Sequence, residues 1–437
     1  MNIATEKNRK RVVIVGGGFA GLKLAQNIDD RIFQTVLLDK NNHHIFQPLL
    51  YQVATGGIEV SAISFPFRKI FRKKKHFHYR MCKALSVNPD KNQIITDIGS
   101  LDYDYLVLAT GCDTNFFGNT SFKENCMGLK TSSEALYIRN HLLNSIEKAQ
   151  NTSDLEEQKK LLTFVIVGGG ATGVELAGAL AEMRRFTFPH DYPEIDMARI
   201  KIVIVTNSQK LLPSFKDSSS LEATQYLEHR QVDIKLNTRV LDYSNQILQL
   251  SNGSIETANV FWTAGVIANS LPGFTENFYG KQNRLLVDEY NRVKGFNNIF
   301  AIGDTALMIS EVWPNGHPQV AQVAIQQAVN TVYNLKQIEN NSELKPFNYH
   351  DKGSMATIGR NHAVVELKHF KFGGFLGWIV WLLIHLIHIL GIKNRILILM
   401  DWMWSYFTYD TGLRIIVHPI SLDIDKATND TQTKPEQ

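Results

Sequence analysis

Two stretches of the chain carry the same pattern of apolar and polar positions. RVVIVGGGFAGLKLAQNI, from Arg11, and LTFVIVGGGATGVELAGALAE, from Leu162, each open on a β-branched run, pass through glycines and continue with Leu and Ala at helical spacing. That order predicts strand, tight turn and helix, and its recurrence marks an internal repeat. Further apolar runs predict later strands at Tyr105–Gly111, Lys201–Thr206, Val260–Gly265 and Asn298–Asp304. Strands alternating with helices imply an α/β architecture with parallel sheets.

The C-terminal part has a different pattern. FLGWIVWLLIHLIHILGI, Phe375 to Ile392, is followed after Lys393, Asn394 and Arg395 by ILILMDWMWSYFTY. The first run is near the lower length limit for spanning a bilayer, and its histidines and tryptophans interrupt it. The second contains Asp401, a carboxylate that would be costly in a bilayer core. Trp378, Trp381, Trp402 and Trp404 suit the depth of a membrane interface, where an apolar ring and one N–H both find partners. Amphipathic helices lying at one membrane surface are therefore expected; a buried core or dimer interface is the competing reading.

Composition changes this picture little. At 437 residues the chain has room for two or three domains, and 44% hydrophobic with 20% charged residues is ordinary for a globular protein. A formal charge of +4 gives no footprint of nucleic-acid binding. Cys82, Cys112 and Cys126 form no C-x-x-C pair, which supports neither a disulfide framework nor a zinc site. No signal-peptide pattern precedes RVVIVGGG, so a cytoplasmic-facing protein is expected. FRKIFRKKKHFHYR, Phe67 to Arg80, reads as a solvated helix face or as a basic patch for anionic lipid or cofactor. Residues 421–437 read as a polar tail.

The chemistry sits in the repeat. Gly16, Gly18 and Gly21 form G-x-G-x-x-G, whose first glycine permits the turn, whose second admits a pyrophosphate and whose third lets helix pack on strand. The pyrophosphate would rest on free N–H groups at a helix start. Asp39 ends the next strand, where a ribose-binding carboxylate belongs. Gly168, Gly170 and Gly173 repeat the spacing, so two dinucleotides are expected. The matching strand there ends in Thr206 instead of an acid, which leaves NADH against NADPH open; Lys210 is a nearby candidate for a 2′-phosphate, or simply a solvated lysine.

DKNNHHIFQPLLYQVATG from Asp39 resembles the type II NADH dehydrogenases, single-subunit NADH:quinone oxidoreductases. So do VLATG at Val107, GATGVELAG at Gly170, IFAIGDTA at Ile299, AQVAIQQA at Ala321 and KGSMATIGR at Lys352. The resemblance implies two Rossmann-like domains, the second inserted in the first. FAD would occupy 11–115 and 284–345, NAD(P)H would occupy 116–283, and 346–420 would attach the protein to a membrane. It implies FAD contacts at Lys40, Gln47, Thr110, Gly111, Asp304 and Gln322 as well as at the first glycines and Asp39. NADH is the implied donor, with NADPH possible, and a membrane quinone the acceptor, without proton pumping. A peripheral, monotopic enzyme on the cytoplasmic face of the cell membrane follows, with a homodimer as its expected assembly.

No nucleophile is required, because the cofactors carry the difficult chemistry. Gln322 and Gln326, one helical turn apart, are expected to face a quinone headgroup. Glu175 is expected either to touch the nicotinamide side of the flavin and relay a proton, or to complement a helix dipole from its first turn. Lys352 is expected near the flavin or quinone, or in a salt bridge. Two alternatives stay open: a sulfide:quinone oxidoreductase, which would need placed cysteines such as Cys112 and Cys126, and a non-catalytic membrane-attached NAD(P)H-binding redox sensor.

Overall fold

The computed structural model describes residues 1–368, 370–409 and 412–417; the polar tail expected at 421–437 lies outside them. In chain order, the elements that position the site begin with β1 (Lys10–Val15), α1 (Phe19–Asn27), β2 (Phe33–Asp39), α2 (Leu50–Ala54), β3 (Phe77–Met81) and β4 (Tyr105–Leu108). Then come β5 (Met127–Gly128), α3 (Ser132–Asn151), β6 (Thr163–Val167), α4 (Ala171–Glu182), β7 (Lys201–Val205), α5 (Asp217–His229), β8 (Val232–Lys235) and β9 (Asn259–Trp262). They are followed by β10 (Ile299–Ala301), α6 (Ala321–Glu339), β11 (Ser354–Gly359), β12 (His362–Glu366), β13 (Lys371–Gly373), α7 (Gly374–His388) and α8 (Ile392–Thr408).

Two five-stranded parallel sheets result, ordered β10-β4-β1-β2-β3 and β5-β9-β6-β7-β8. Val13 stands opposite Val36 on one side and Leu106 on the other; Val165 stands between Val203 and Val260 in the same way. The central strands are covered on both faces, which is why they read as unbroken apolar runs. β10 follows the second sheet in sequence yet pairs with β4 in the first. α6 packs along α1.

A three-stranded antiparallel sheet, β11-β12-β13, follows. β11 lies directly on α4, so close that a Cβ at Gly178 would strike the Ile358 carbonyl. α7 crosses β12 over Gly377, where a Cβ would come 2.8 Å from Ala363 O. Trp381 is buried between these layers and stacks on His385, with ring centroids 3.8 Å apart.

Three expectations need correction. The apolar run breaks at Ile389–Gly391 and not at Lys393–Arg395, because Gly391 takes φ +78° and Arg395 turns back to the carbonyls of Ile389 and Ile387 at 2.8 Å each. α7 is not two-faced, since Phe375, Leu376, Leu383 and Ile387 are exposed while Gly377 and Trp381 are buried. Phe67–Arg80 is one helical turn followed by β3, not a solvated helix face. Phe67 is buried under the first glycine turn, and Lys74 Nζ holds the last carbonyls of α1 through Ala25 O at 2.5 Å and Ile28 O at 2.8 Å. Among the described residues no helix is long and apolar enough to cross a membrane.

Candidate active site

The two glycine turns are built alike. Gly16 N–H donates to Leu38 O and Gly168 N–H to Val205 O, each at 2.8 Å. A Cβ at Gly21 would strike the Gly16 carbonyl, and one at Gly173 the Gly168 carbonyl, so each helix crosses its strand at the closest approach a backbone allows. α1 and α4 both begin after a glycine without a side-chain cap and with no acid in the first turn. Their leading N–H groups are thus left for an anion. Glu175 stands beyond the first turn of α4, which removes its reading as a first-turn dipole partner.

A cleft of about 820 Å³ opens at the C-terminal edge of the first sheet, within the size range of cofactor sites. Gly16, Gly18, Asp39, Lys40, Gln47, Thr110, Gly111, Asp304 and Glu175 line it. Asp39 accepts from Gly17 N at 2.6 Å and Asn41 N at 2.7 Å, which locks the turn while its carboxylate faces the cleft. His44, buried between Phe19 and Phe65, has its Nδ1 on Gly17 O at 2.9 Å, and burial lowers its pKa to about 4, so it is neutral and Nδ1–H donates. Thr110 Oγ1 donates to Asn269 O at 2.6 Å, and Gln47 to Lys130 O at 3.2 Å. An uncapped helix start, an oriented acid and a cleft of this volume fit FAD.

Gly168, Gly170, Gly173 and Thr206 line neither this cleft nor the cavity described next. Thr206 is buried, with its methyl against Gly169 and its hydroxyl accepting from Ser208 N at 3.2 Å. Lys210 is already held by Phe215 O at 2.6 Å and Asp217 Oδ1 at 2.7 Å. Two of its three ammonium protons are thus engaged, one of them in a surface ion pair.

A second cavity of about 140 Å³ lies between α2, α4 and α8, with Trp378 and Leu382 of α7 in its wall. Glu175 and Tyr51 belong to both spaces. Glu175 accepts from Thr357 N at 3.4 Å, and burial pushes its carboxyl up to about 8. Tyr51 is linked to Thr357 Oγ1 at 3.1 Å and accepts from Gln52 Nε2 at 2.9 Å; burial raises its phenol too. Gln52 Oε1 in turn takes the indole N–H of Trp402 at 2.9 Å. Because an indole only donates, that bond fixes which way the Gln52 amide points.

Gln322 and Gln326 are engaged with the chain that leads into β11. Gln322 accepts from Lys352 N at 3.0 Å and donates to Gly353 O at 3.1 Å; Gln326 brackets His350 through its N–H at 3.0 Å and its carbonyl at 2.9 Å. Both amides are spent on one strand of chain, and neither lines either cavity. Lys352 is exposed and outside both. The cysteines do not pair: Cys112 donates to Asp304 Oδ2 at 2.8 Å with its thiol pushed up to about 12, while Cys82 and Cys126 are buried in separate cores. Cysteine chemistry of the sulfide-oxidising kind therefore has no pair to use among the described residues.

Sequence reasoning did not single out Tyr51, Gln52, Thr357 or Glu182, and it read Trp402 only as an interfacial tryptophan. Tyr51 and Gln52 were inside the quoted QPLLYQVATG run, and Glu182 follows Glu175 by seven residues, two turns on one face of α4. Thr357 and Trp402 become neighbours only through the fold.

Twin glycine turns on parallel sheets, a flavin-sized cleft and a third sheet laid on the second helix define a two-nucleotide flavoprotein. Residues 10–328 match the pyridine nucleotide-disulphide oxidoreductase family and 351–408 the NDH2 C-terminal domain. The chain is 33% identical over 429 residues to the type II NADH:quinone oxidoreductase Ndh of Mycobacterium tuberculosis, covering 94% of this chain and 90% of that one. The Haemophilus influenzae type II NADH:quinone oxidoreductase is 29% identical, covering 83% and 88%. In fold, the chain is similar to NDH2 from Plasmodium falciparum, with TM-score 0.85, 22% identity and coverage of 94% and 100%. It is less similar to the sulfide:quinone oxidoreductase from Aquifex aeolicus, with TM-score 0.71, 18% identity and coverage of 94% and 96%. The chain belongs to the type II NADH:quinone oxidoreductases.

Proposed function

We propose that this protein oxidises NADH and reduces a membrane quinone through FAD, without pumping protons, and that the two cavities meeting at Glu175 and Tyr51 are where flavin and quinone face each other. The shared wall carries this reading: one side is the cleft that fits FAD, the other is bounded by the apolar helices α7 and α8. FAD, when bound, supplies the two-electron chemistry between nicotinamide and quinone. The first glycines, Asp39, Lys40, Gln47, Thr110, Gly111 and Asp304 would hold it; Gly168, Gly170 and Gly173 would hold the donor's pyrophosphate, with Thr206 beside its ribose.

The balance is NADH + H⁺ + quinone → NAD⁺ + quinol, so one proton per turnover comes from water. Glu175, protonated at neutral pH, is placed to give that proton to a quinone oxygen in the shared wall, while the Tyr51 hydroxyl, whose proton burial holds tightly, would orient the quinone by a hydrogen bond without giving up its proton. Gln322, Gln326 and Lys352 act on the quinone only through the 350–353 segment that the two amides hold. Residues 11–115 with 284–345 form the FAD unit, 116–283 the nicotinamide unit, and 346–420 the membrane-attaching part.

The protein associates with the membrane, and the exposed Phe375, Leu383, Ile396, Met400, Met403, Trp404 and Phe407 are the surface proposed to enter one leaflet. Its nucleotide site would face the cytoplasm, where NADH is supplied. The homodimer is tested by sedimentation in detergent, a single-chain mass contradicting it. For the activity itself, purified FAD-loaded protein should take one hydride from NADH per flavin under anaerobic conditions and should turn NADH over continuously only when a short-chain quinone is present. Negligible turnover with quinone would favour the sensor reading.

A further inference from the structure

Glu175 is not the only carboxyl in the wall of the smaller cavity. Glu182 lies seven residues on, about 10 Å along the axis of α4, and it lines the same space. Glu175, Gly178 and Glu182 make one stripe of the helix, the stripe on which β11 rests. Gly178 admits the Ile358 carbonyl; Glu175 takes the N–H of Thr357 at one end and Glu182 takes the N–H of Arg360 at the other. Immediately after Glu182 the helix passes into a π-turn, Met183–Thr187, whose Met183, Phe186 and Thr187 are also in the cavity wall. Such turns displace one residue of the helical register and recur at functional sites.

The Glu182 end is the polar end. Arg360 Nη1 donates to Ser405 O at 3.1 Å, and its guanidinium lies 3.8 Å from the ring centre of Tyr409 and 4.7 Å from that of Tyr406. Tyr409 follows the last residue of α8 and is exposed, so this end opens at the protein surface. Facing Glu182 are Arg360 from the β11–β12 turn and Tyr226 and Arg230 from α5. Tyr406 and Tyr409 close the same end from α8, and Tyr51 stands on α2 toward the far end. Once the quinol has left, a cavity of about 140 Å³ has room between the two carboxyls for a file of waters.

We propose that Glu182 is the carboxyl that resupplies Glu175: it takes the solvent proton at the Arg360–Tyr409 end and passes it along the cavity after Glu175 has protonated the quinone. This rests on the quinone-reductase reading above. Atoms balance at each transfer. Glu175–COOH gives H⁺ to the quinone oxygen and becomes carboxylate, Glu182–COOH restores it through water, and water restores Glu182. Burial raises both carboxyls, Glu182 to about 7 and Glu175 to about 8, because Arg360 and Arg230 favour the charged form only at Glu182. Both carboxyls are therefore held protonated more readily than an exposed glutamate, and the relay rests on their shared cavity wall.

The role separates from a structural one because glutamine preserves the bond to Arg360 N while carrying no transferable proton. FAD-loaded Glu182→Gln should be reduced by NADH at the wild-type rate. Its reoxidation by a short-chain quinone should slow by about tenfold or more above neutral pH, with indicator-dye proton uptake lagging behind flavin colour. Glu182→Asp should restore most of the rate, and infrared titration of the oxidised protein should lose one protonated-carboxyl band in Glu182→Gln. Wild-type reoxidation, pH profile and synchronous uptake in Glu182→Gln, beside a slow Glu175→Gln, would overturn the relay alone. Full quinone reduction by Glu175→Gln would overturn the underlying reading, and the relay with it. Equal loss of both half-reactions in Glu182→Gln would mark Glu182 as a fold residue and also overturn the proposal.

Discussion

Trp402 gives its indole N–H to Gln52 Oε1 at 2.9 Å, tying α8 to a segment 350 residues earlier. Gln52 passes the connection to Tyr51, Tyr51 to Thr357, and Thr357 to Glu175. The helices that would meet the membrane are thus coupled by hydrogen bonds to the carboxyl in the shared cavity wall. Trp402→Phe keeps the ring and removes the donor, leaving Gln52 Oε1 unpaired at a cost of about 1–3 kcal/mol. Quinone-driven flavin reoxidation should fall several-fold, with reduction by NADH unchanged; stopped-flow absorbance separates the two.

Glu175 makes a signed prediction. Its folded pKa is raised, from the ordinary 4.5 to about 8, so the folded state holds its proton more tightly than the unfolded chain does. The contribution to stability is full below about pH 4.5 and is lost as pH rises through about 8. Glu175→Gln should remove that dependence, so its Tm should gain on wild type as pH goes from about 5 to about 9 in thermal melts. In activity, the wild-type quinone reaction should fall above about pH 8, and the variant should be slow at every pH.

The glycine turns predict a double dissociation. A Cβ at Gly21 presses on Gly16, and one at Gly173 presses on Gly168 and comes 2.9 Å from Thr263 Oγ1. Gly21→Ala should weaken FAD retention by about tenfold or more, which is 1.4 kcal/mol. Gly173→Ala should keep its flavin and raise the NADH concentration needed to bleach it. Flavin content and NADH titration read the two effects.

Gln322 and Gln326 hold residues 350–353 through five hydrogen bonds. Gln322→Ala should cost about 1–2 kcal/mol of stability by leaving Lys352 N–H and Gly353 C=O with one partner fewer. A bulky apolar residue at either position should impair quinone reduction more than flavin reduction, because the displaced segment leads into β11 and hence to Thr357. Equal loss in both half-reactions would contradict that route.

The sheets were legible in the chain because buried parallel strands are continuous apolar runs, and RVVIV, TFVIV and KIVIV are such runs. The glycine turns were legible because each glycine answers a local steric demand. The acceptor side was less so. Glu175 was found through the motif around it, but its partners come from α2, β11 and α8, and no local pattern brings Tyr51, Thr357 and Trp402 together. The glutamine pair was found by spacing, but helical periodicity shows only that Gln322 and Gln326 share a face, not that they bond to the 350–353 segment. The break between α7 and α8 was misplaced because charge marked Lys393–Arg395 more loudly than Gly391, whose positive φ makes the turn.

The most direct test is anaerobic stopped-flow absorbance of the FAD-loaded protein, first with NADH and then with a short-chain quinone. Rapid bleaching by NADH and rapid return of colour with quinone in wild type, with only the second step slowed in Glu175→Gln, is the expected result. No bleaching by NADH, or bleached flavin whose colour quinone does not restore, would contradict the account.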